Sequence, residues 1–374
     1  MKIKRVLSLV LGLCLIAGLL AGCGGGSNKP SASTNPGGSS QPSASQGTEP
    51  DDTVYEINVS LSFPEVSASG FLKWVDEITE ATNGRLKFNL YYSYSLVAMP
   101  DLVKGLQTGL VDMACIVPYE YPSLFTLNGN VFGLPFLGWK DEASACDIYW
   151  EMYKECPELD AEWQSYGLHY LSSYFMPGYN MFMTKAGPME TPADLKGHKV
   201  ITGAATVQQL LADNSGAPIS SGPTDYYSNM EKGVADSIIS HINVLGAFGV
   251  CPELVNKAVF FGDEYSGAYM YLMGLVFANS YWDKLPADIQ QILTEHADNL
   301  GKYMLEADMA LTGKFLSALD KKGAEKVILT SEQVQVWADA LSSYTEVDLQ
   351  SWEKENSATR TIYNTLLDKI AASK

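Results

Sequence analysis

The sequence predicts a two-lobed α/β protein, and three observations lead there. The folded body runs from about Thr53 to Lys374, long for one compact core and suited to two. Its opening part alternates strand and helix patterns as βαβαβ, which implies a parallel sheet with right-handed crossovers. Pro286 to about Leu319 contains no internal Pro. As one helix it would extend about 50 Å at 1.5 Å per residue, enough to run across both lobes.

The stretch before the body has another character. Met1-Lys2-Ile3-Lys4-Arg5 is a basic start, and Val6 to Leu20 is an apolar run of signal-peptide length, short for a membrane span. Leu20-Ala21-Gly22-Cys23 has the form of a bacterial lipobox, so residues 1–23 read as a lipoprotein signal with Cys23 as the acylated residue. Residues 24–52 are rich in Gly, Ser, Pro, Asn and Gln, a composition that cannot bury a core and suits a flexible tether. The expected anchor is therefore lipid, on the outer side of the cell membrane.

Charge narrows the partners. The chain has 43 acidic and 25 basic residues, a formal charge of −18. Without Lys2, Lys4 and Arg5 the balance falls near −21. Such a surface is a poor match for nucleic acid or anionic headgroups. Beyond Cys14 and Cys23 the cysteines are Cys115, Cys146, Cys156 and Cys251, with no CxxC and no His at metal-ligand spacing. Cys146 and Cys156 flank one helical segment and would stand about 15 Å apart, too far to bridge. Free thiols are expected, and neither a cofactor nor a metal site is.

In chain order, Tyr55/Ile57/Val59/Leu61 alternates as a strand. A helix follows over about 67–82, with Phe71, Leu72, Val75 and Ile78 on one face and Asn83-Gly84 as its stop. Arg85 to Tyr92 and Val111 to Pro118 read as strands, with a helix over Pro100 to Thr108 between them. Tyr170 to Phe175 should lead to the second lobe, whose first strand is Gly178 to Lys185. Thr191 and Pro192 start one capped turn, Gly197 ends it, and His198-Lys199-Val200-Ile201 alternates like a short strand. Helices over about 207–214 and from Thr224 to Lys232, and a strand over Val234 to His241, complete that lobe. Tyr265 to Asn279 is an apolar strand returning to the first lobe, Val327 to Leu329 a short strand, and helical spacing resumes from Ser331 to Ile370. Lobe I is thus expected to hold residues 53–176 and 265–305, and lobe II residues 177–264 and 306–374.

Several segments also resemble, in order, those of TRAP transporter solute-binding proteins, the DctP-like extracytoplasmic subunits of tripartite ATP-independent transporters. They include Thr82-Asn83-Gly84-Arg85-Leu86, Gly105 to Met113, Leu134-Pro135-Phe136-Leu137, the turn and strand at Glu190 to Gly203, and Asn279-Ser280-Tyr281-Trp282 through Gln290. No one tetrapeptide is specific; their order over about 320 residues is. The resemblance implies a periplasmic-binding-protein type II fold with a long connecting helix. It implies capture of a small organic solute between the lobes and delivery to a membrane permease. An ABC importer or sensor receptor is the alternative within binding proteins.

Members of that family usually grip a carboxylate with two arginines. The matching positions here are Asn180 and Ile201, and no arginine occurs between Arg85 and Arg360. Lys185, Lys196 and Lys199 stand nearby, on turns and strand ends where lysine is usually solvated. A carboxylate buried without a paired cation carries a desolvation penalty of several kcal/mol. The expected ligand is accordingly neutral, aromatic or held in another way. Ligands in such folds meet the loops at the C-terminal ends of strands. That nominates Phe63, Tyr94, Tyr119 and Tyr121 in the first lobe. In the second it nominates Asn180, Ile201, Thr202, Tyr226, Ser240 and His241. No GxSxG, HExxH or P-loop is present, so no enzymatic activity is expected.

Overall fold

The computed structural model describes residues 53–185, 187–262 and 266–373; the expected signal, lipobox and tether lie outside them. The strands are β1 (Tyr55–Ser60), β2 (Leu86–Tyr91), β3 (Met113–Ile116), β4 (Leu168–Phe175), β5 (Asn180–Met183) and β6 (Lys199–Ile201). They continue as β7 (Ala217–Ile219), β8 (Ser237–Ser240), β9 (Lys257–Phe260), β10 (Leu272–Ala278) and β11 (Glu325–Ile328). They form two sheets, ordered β2-β1-β3-β10-β4 and β11-β9-β5-β8-β6-β7. Two sheets mean two lobes, and one buried apolar cluster runs from Ile57 and Leu275 of the first sheet to Met181 and Val259 of the second.

In the first sheet β1 pairs in parallel with β2 and β3, as the βαβαβ pattern predicts. The returning strand β10 enters antiparallel between β3 and β4. All seven of its residues are buried, which explains its unbroken apolar run. The crossover helices are α1 (Ser69–Ala81) and α2 (Leu102–Thr108). Phe71, Trp74 and Ile78 form the buried face of α1, each side chain contributing about 1.5–3 kcal/mol. Asn83 and Gly84, both at positive φ, turn the chain out of that helix.

The segment between β3 and β4 holds a single π-helical turn at Thr126–Val131, then α3 (Glu142–Glu155) and α4 (Pro157–Ser165). The second lobe adds α5 (Ala205–Asp213), α6 (Tyr226–Glu231) and α7 (Ile242–Ala247). After β10 come α8 (Asn279–Trp282), α9 (Ala287–Glu295), α10 (Ala297–Lys322), α11 (Ser331–Glu355) and α12 (Thr359–Ala372). Cys115, Cys146, Cys156 and Cys251 are free thiols.

The long helix differs from expectation: it breaks at His296 into α9 and α10. The Trp74 indole donates to the His296 carbonyl, and the imidazole engages Glu77, so this residue's polar groups are tied to α1. The remaining 26 residues of α10 still extend about 39 Å. Leu300 and Met304 pack with the first lobe, Leu316 and Leu319 with the core of the second. The chain end also departs from the expected division at residues 306–374. Ile362, Leu366 and Ile370 of α12 pack with the first-lobe core beside Tyr149 and Phe132, because their helical face continues that apolar cluster.

Two further segments join the lobes. Met176 to Tyr179 leads out of β4 and Ser266 to Tyr271 leads into β10. They pair through Met176 N–H to the Tyr271 carbonyl and Tyr179 N–H to the Tyr269 carbonyl, both at 2.9 Å. Ala268 N–H returns a bond to the Tyr179 carbonyl. A Cβ on Gly178 would stand 2.4 Å from the Ser266 carbonyl carbon, and one on Gly267 would stand 2.5 Å from Tyr179 N. Only glycine lets the two backbones approach this closely.

Candidate functional site

Register decides which strand ends face the gap between lobes. The carboxyl ends of β1, β2 and β3 and the start of β10 share one edge of the first sheet. In the second sheet Asn180 lies opposite Ser240 while Met183 lies opposite Ser237, so the facing edge carries Asn180, Ser240 and the residue after Ile201.

The first-lobe wall is built from the loops after β2 and β3. Ser93 and Tyr94 both adopt left-handed backbone, at φ 50° and 57°, an uncommon pair for non-glycine residues. Their N–H groups bond the Phe63 and Leu61 carbonyls, which holds that geometry. Tyr94 is thereby placed to donate its hydroxyl to a Glu120 carboxylate oxygen. Glu120 keeps an open side to solvent, yet crowding by the protein lifts its carboxyl to about 6, with the Tyr94 bond opposing the rise. Its charge acts on Tyr121 and Tyr226, holding both phenols protonated beyond the ordinary range together with their burial.

The floor is aromatic and belongs to the crossover. Tyr119 stacks on Tyr271 with ring centroids 4.2 Å apart. Tyr271 continues to Tyr269 at 5.0 Å and to Tyr179 at 4.7 Å. Gly133 makes room for this stack, since a Cβ there would stand 2.4 Å from the Tyr119 ring. The Tyr271 hydroxyl is buried and interacts with the Tyr119 and Tyr269 phenols, without a close, well-aligned hydrogen bond. Burial pushes the Tyr119 phenol up to about 12.

From the second lobe, the Thr202 hydroxyl lies 3.4 Å from the Tyr269 hydroxyl. His241 follows β8, its ring centroid 5.2 Å from that of Tyr179. It is 9% exposed, and burial depresses its pKa to about 4, so the imidazole is neutral at physiological pH. Its Nδ1 has no partner among the described residues.

Other nominated residues are occupied elsewhere. The Asn180 amide donates to the Gly178 and Ser266 carbonyls and accepts from Phe261 N–H, so it staples the crossover. Ile201 packs in the second-lobe core with Phe182 and Ile238. Phe63 lies against Phe71, Tyr121 donates to the Met99 carbonyl, and Ser240 is buried opposite Asn180. Sequence reasoning passed over Glu120, Tyr179, Tyr269 and Tyr271. The flanking of Glu120 by two nominated tyrosines was the available signal.

A cavity of about 540 Å³ opens beside Tyr119. It is lined from the first lobe by Asn130 and Pro135, from the second by Gly203 and Thr206, and from α11 by Asp348 and Trp352.

Positive charge sits elsewhere. Arg85 pairs with Asp288, and Arg360 with Glu346 and Glu353. Lys185 and Lys199 lie toward the far ends of β5 and β6, where Lys199 Nζ donates to the Gly233 carbonyl. Lys196 is exposed on the turn before β6. Among the described residues no group of three His, Cys, Asp or Glu side chains could hold a metal, and no helix is long and apolar enough to cross a membrane.

Comparison with known proteins agrees with this architecture. Residues 59–353 match the profile of bacterial extracellular solute-binding proteins, family 7. A solute-binding protein of Albidiferax ferrireducens is 25% identical over 264 residues, covering 70% of this chain and 75% of that protein. The 2,3-diketo-L-gulonate-binding periplasmic protein YiaO of Escherichia coli is 25% identical over 272 residues, covering 72% and 79%. Among solved structures, a TRAP periplasmic solute-binding protein from Rhodoferax ferrireducens with bound malonate superposes with a TM-score of 0.71 at 19% identity, over 85% of this chain and 99% of that one. One from Desulfovibrio salexigens with bound orotic acid gives 0.72 at 18% identity, over 84% and 99%. The chain belongs to the family 7 (DctP) bacterial extracellular solute-binding proteins.

Proposed function

We propose that this protein is the lipid-anchored receptor of a TRAP transporter, holding one small organic solute between its lobes and presenting it to membrane permease subunits. The observation that carries the reading is the cleft itself. Tyrosines of the first lobe and of the crossover meet beside the buried His241 Nδ1, which has no partner among the described residues, and the Tyr271 hydroxyl, which has only its neighbouring phenols. Buried polar groups are ordinarily satisfied, and a solute would satisfy these. Hinge bending about the crossover would close the lobes over it, provided the solute binds the closed form better than the open one.

The solved relatives carry malonate and orotic acid, both acids. Here the family's two arginine positions hold Asn180 and Ile201, and neither side chain is free to grip a carboxylate. An aromatic solute gripped by tyrosine faces and hydroxyls fits this lining better.

Native mass spectrometry of the purified protein, followed by denaturing extraction, tests the reading. A single retained small molecule released on unfolding is the expected result; an empty protein that no solute stabilises would count against it. For the anchor, Cys23→Ser should move the protein from the membrane fraction to the soluble one.

A further inference from the structure

The proposed solute cleft is electrically one-sided. Glu120 is its ionisable anion, with Tyr94 as hydrogen-bond donor and no cationic side chain among the influences that set its titration. Asp348 adds a second acidic group in the adjoining cavity and acts on Tyr119. His241 is neutral, Arg85 and Arg360 are engaged in ion pairs, and Lys185 and Lys199 lie toward the opposite sheet edge. A carboxylate ligand would meet repulsion and no counter-charge, whereas a cation would pair with a Glu120 carboxylate that has no ion pair among the described residues.

We propose that the cleft takes a small organic cation, an ammonium group on an apolar or aromatic body, with Glu120 as its counter-ion and the tyrosines around it as π surface. The inference rests on the solute-binding reading and names the ligand class. Tyrosine faces attract ammonium groups through the ring quadrupole, most strongly where water is excluded. Tyr94 and Tyr119 stand on one lobe, Tyr119 with one face on Tyr271, Tyr226 stands on the other lobe, and Tyr179 on the crossover. His241 Nδ1, without a partner among the described residues, remains to bond a polar group on the body of the solute. The net charge of −18 would also raise the local concentration of cations.

Thermal shift and calorimetry on the full chain in detergent, stripped of any retained solute, test this. The probes are benzylamine, phenethylamine and choline, each run beside the neutral and the carboxylate analogue of the same skeleton. The expected result is stabilisation by one or more ammonium compounds and none by their carboxylates. Glu120→Gln should weaken that ammonium binding ~10-fold or more, as should Tyr226→Leu from the facing lobe. Circular dichroism melting identifies any variant that fails to fold, and the other variant then decides. Stabilisation by carboxylate or neutral probes alone, or unchanged ammonium binding in a folded Glu120→Gln, overturns the cation class while leaving the receptor reading in place. If no probe binds and extraction yields no solute, both fall.

Discussion

Glu162 sits on a short helix, yet it organises an irregular part of the first lobe. Its buried carboxylate accepts from Leu127 N–H, Asn128 N–H and Asn128 Nδ2, each at 2.8 Å, and so caps the π-helical turn below Tyr119. Glu162→Gln would set an amide NH₂ against those donors. We expect a loss of roughly 2–3 kcal/mol, read as a lower urea midpoint with unchanged slope. Gly133→Ala acts more locally, pushing the Tyr119 ring off Tyr271. Solute affinity should drop severalfold in calorimetry, and the contact with the Gly129 carbonyl should lower the melting temperature as well. Residues at this scale were unevenly legible. Tyr94, Tyr119, Thr202, Tyr226 and His241 could be nominated because the ends of strands can be read from alternation. Glu120 was missed because a lone carboxylate has no telling spacing. Tyr269 and Tyr271 precede a strand, and only the antiparallel insertion of β10, a long-range pairing, turns that strand's beginning toward the cleft. Asn180 and Ile201 were placed by motif, and motif does not say which way a side chain points.

Elements were more legible than their joints. Apolar periodicity marked α1 and β10, but the break between α9 and α10 depends on Trp74, some 220 residues away, taking the His296 carbonyl. Another joint fixes α7 to α10. Asn243 donates to the Asp308 carbonyl oxygen and carboxylate, and Thr312 donates to Asn243. Asp308 is 6% exposed, and burial, reinforced by the charge of Glu142 and opposed by the Asn243 bond, pushes its carboxyl from 3.8 up to about 7. A folded-state pKa above the unfolded one means that its stability contribution is complete below about pH 4 and is lost as pH rises through 7. Asp308→Asn removes that loss. At pH 8 the variant should be the more stable by on the order of 1–3 kcal/mol, and at pH 4 no more stable than the parent, in paired urea titrations.

Across the whole molecule, two paired segments and the helices α10 and α11 join the lobes, and Gly178 and Gly267 let the segments touch. Gly267→Ala would force the backbones apart. Small-angle scattering should then show a smaller solute-induced decrease in the radius of gyration than in the parent. The same crossover has a kinetic consequence. Tyr179, Tyr269 and Tyr271 ride on the joint between the lobes, so the floor they form persists whichever way the walls swing. A solute can land on it before closure, and the walls carrying Tyr94 and Tyr226 then set how long it stays. Substitutions in the floor should therefore slow arrival, and substitutions in the walls should hasten departure, two signatures that stopped-flow measurements separate.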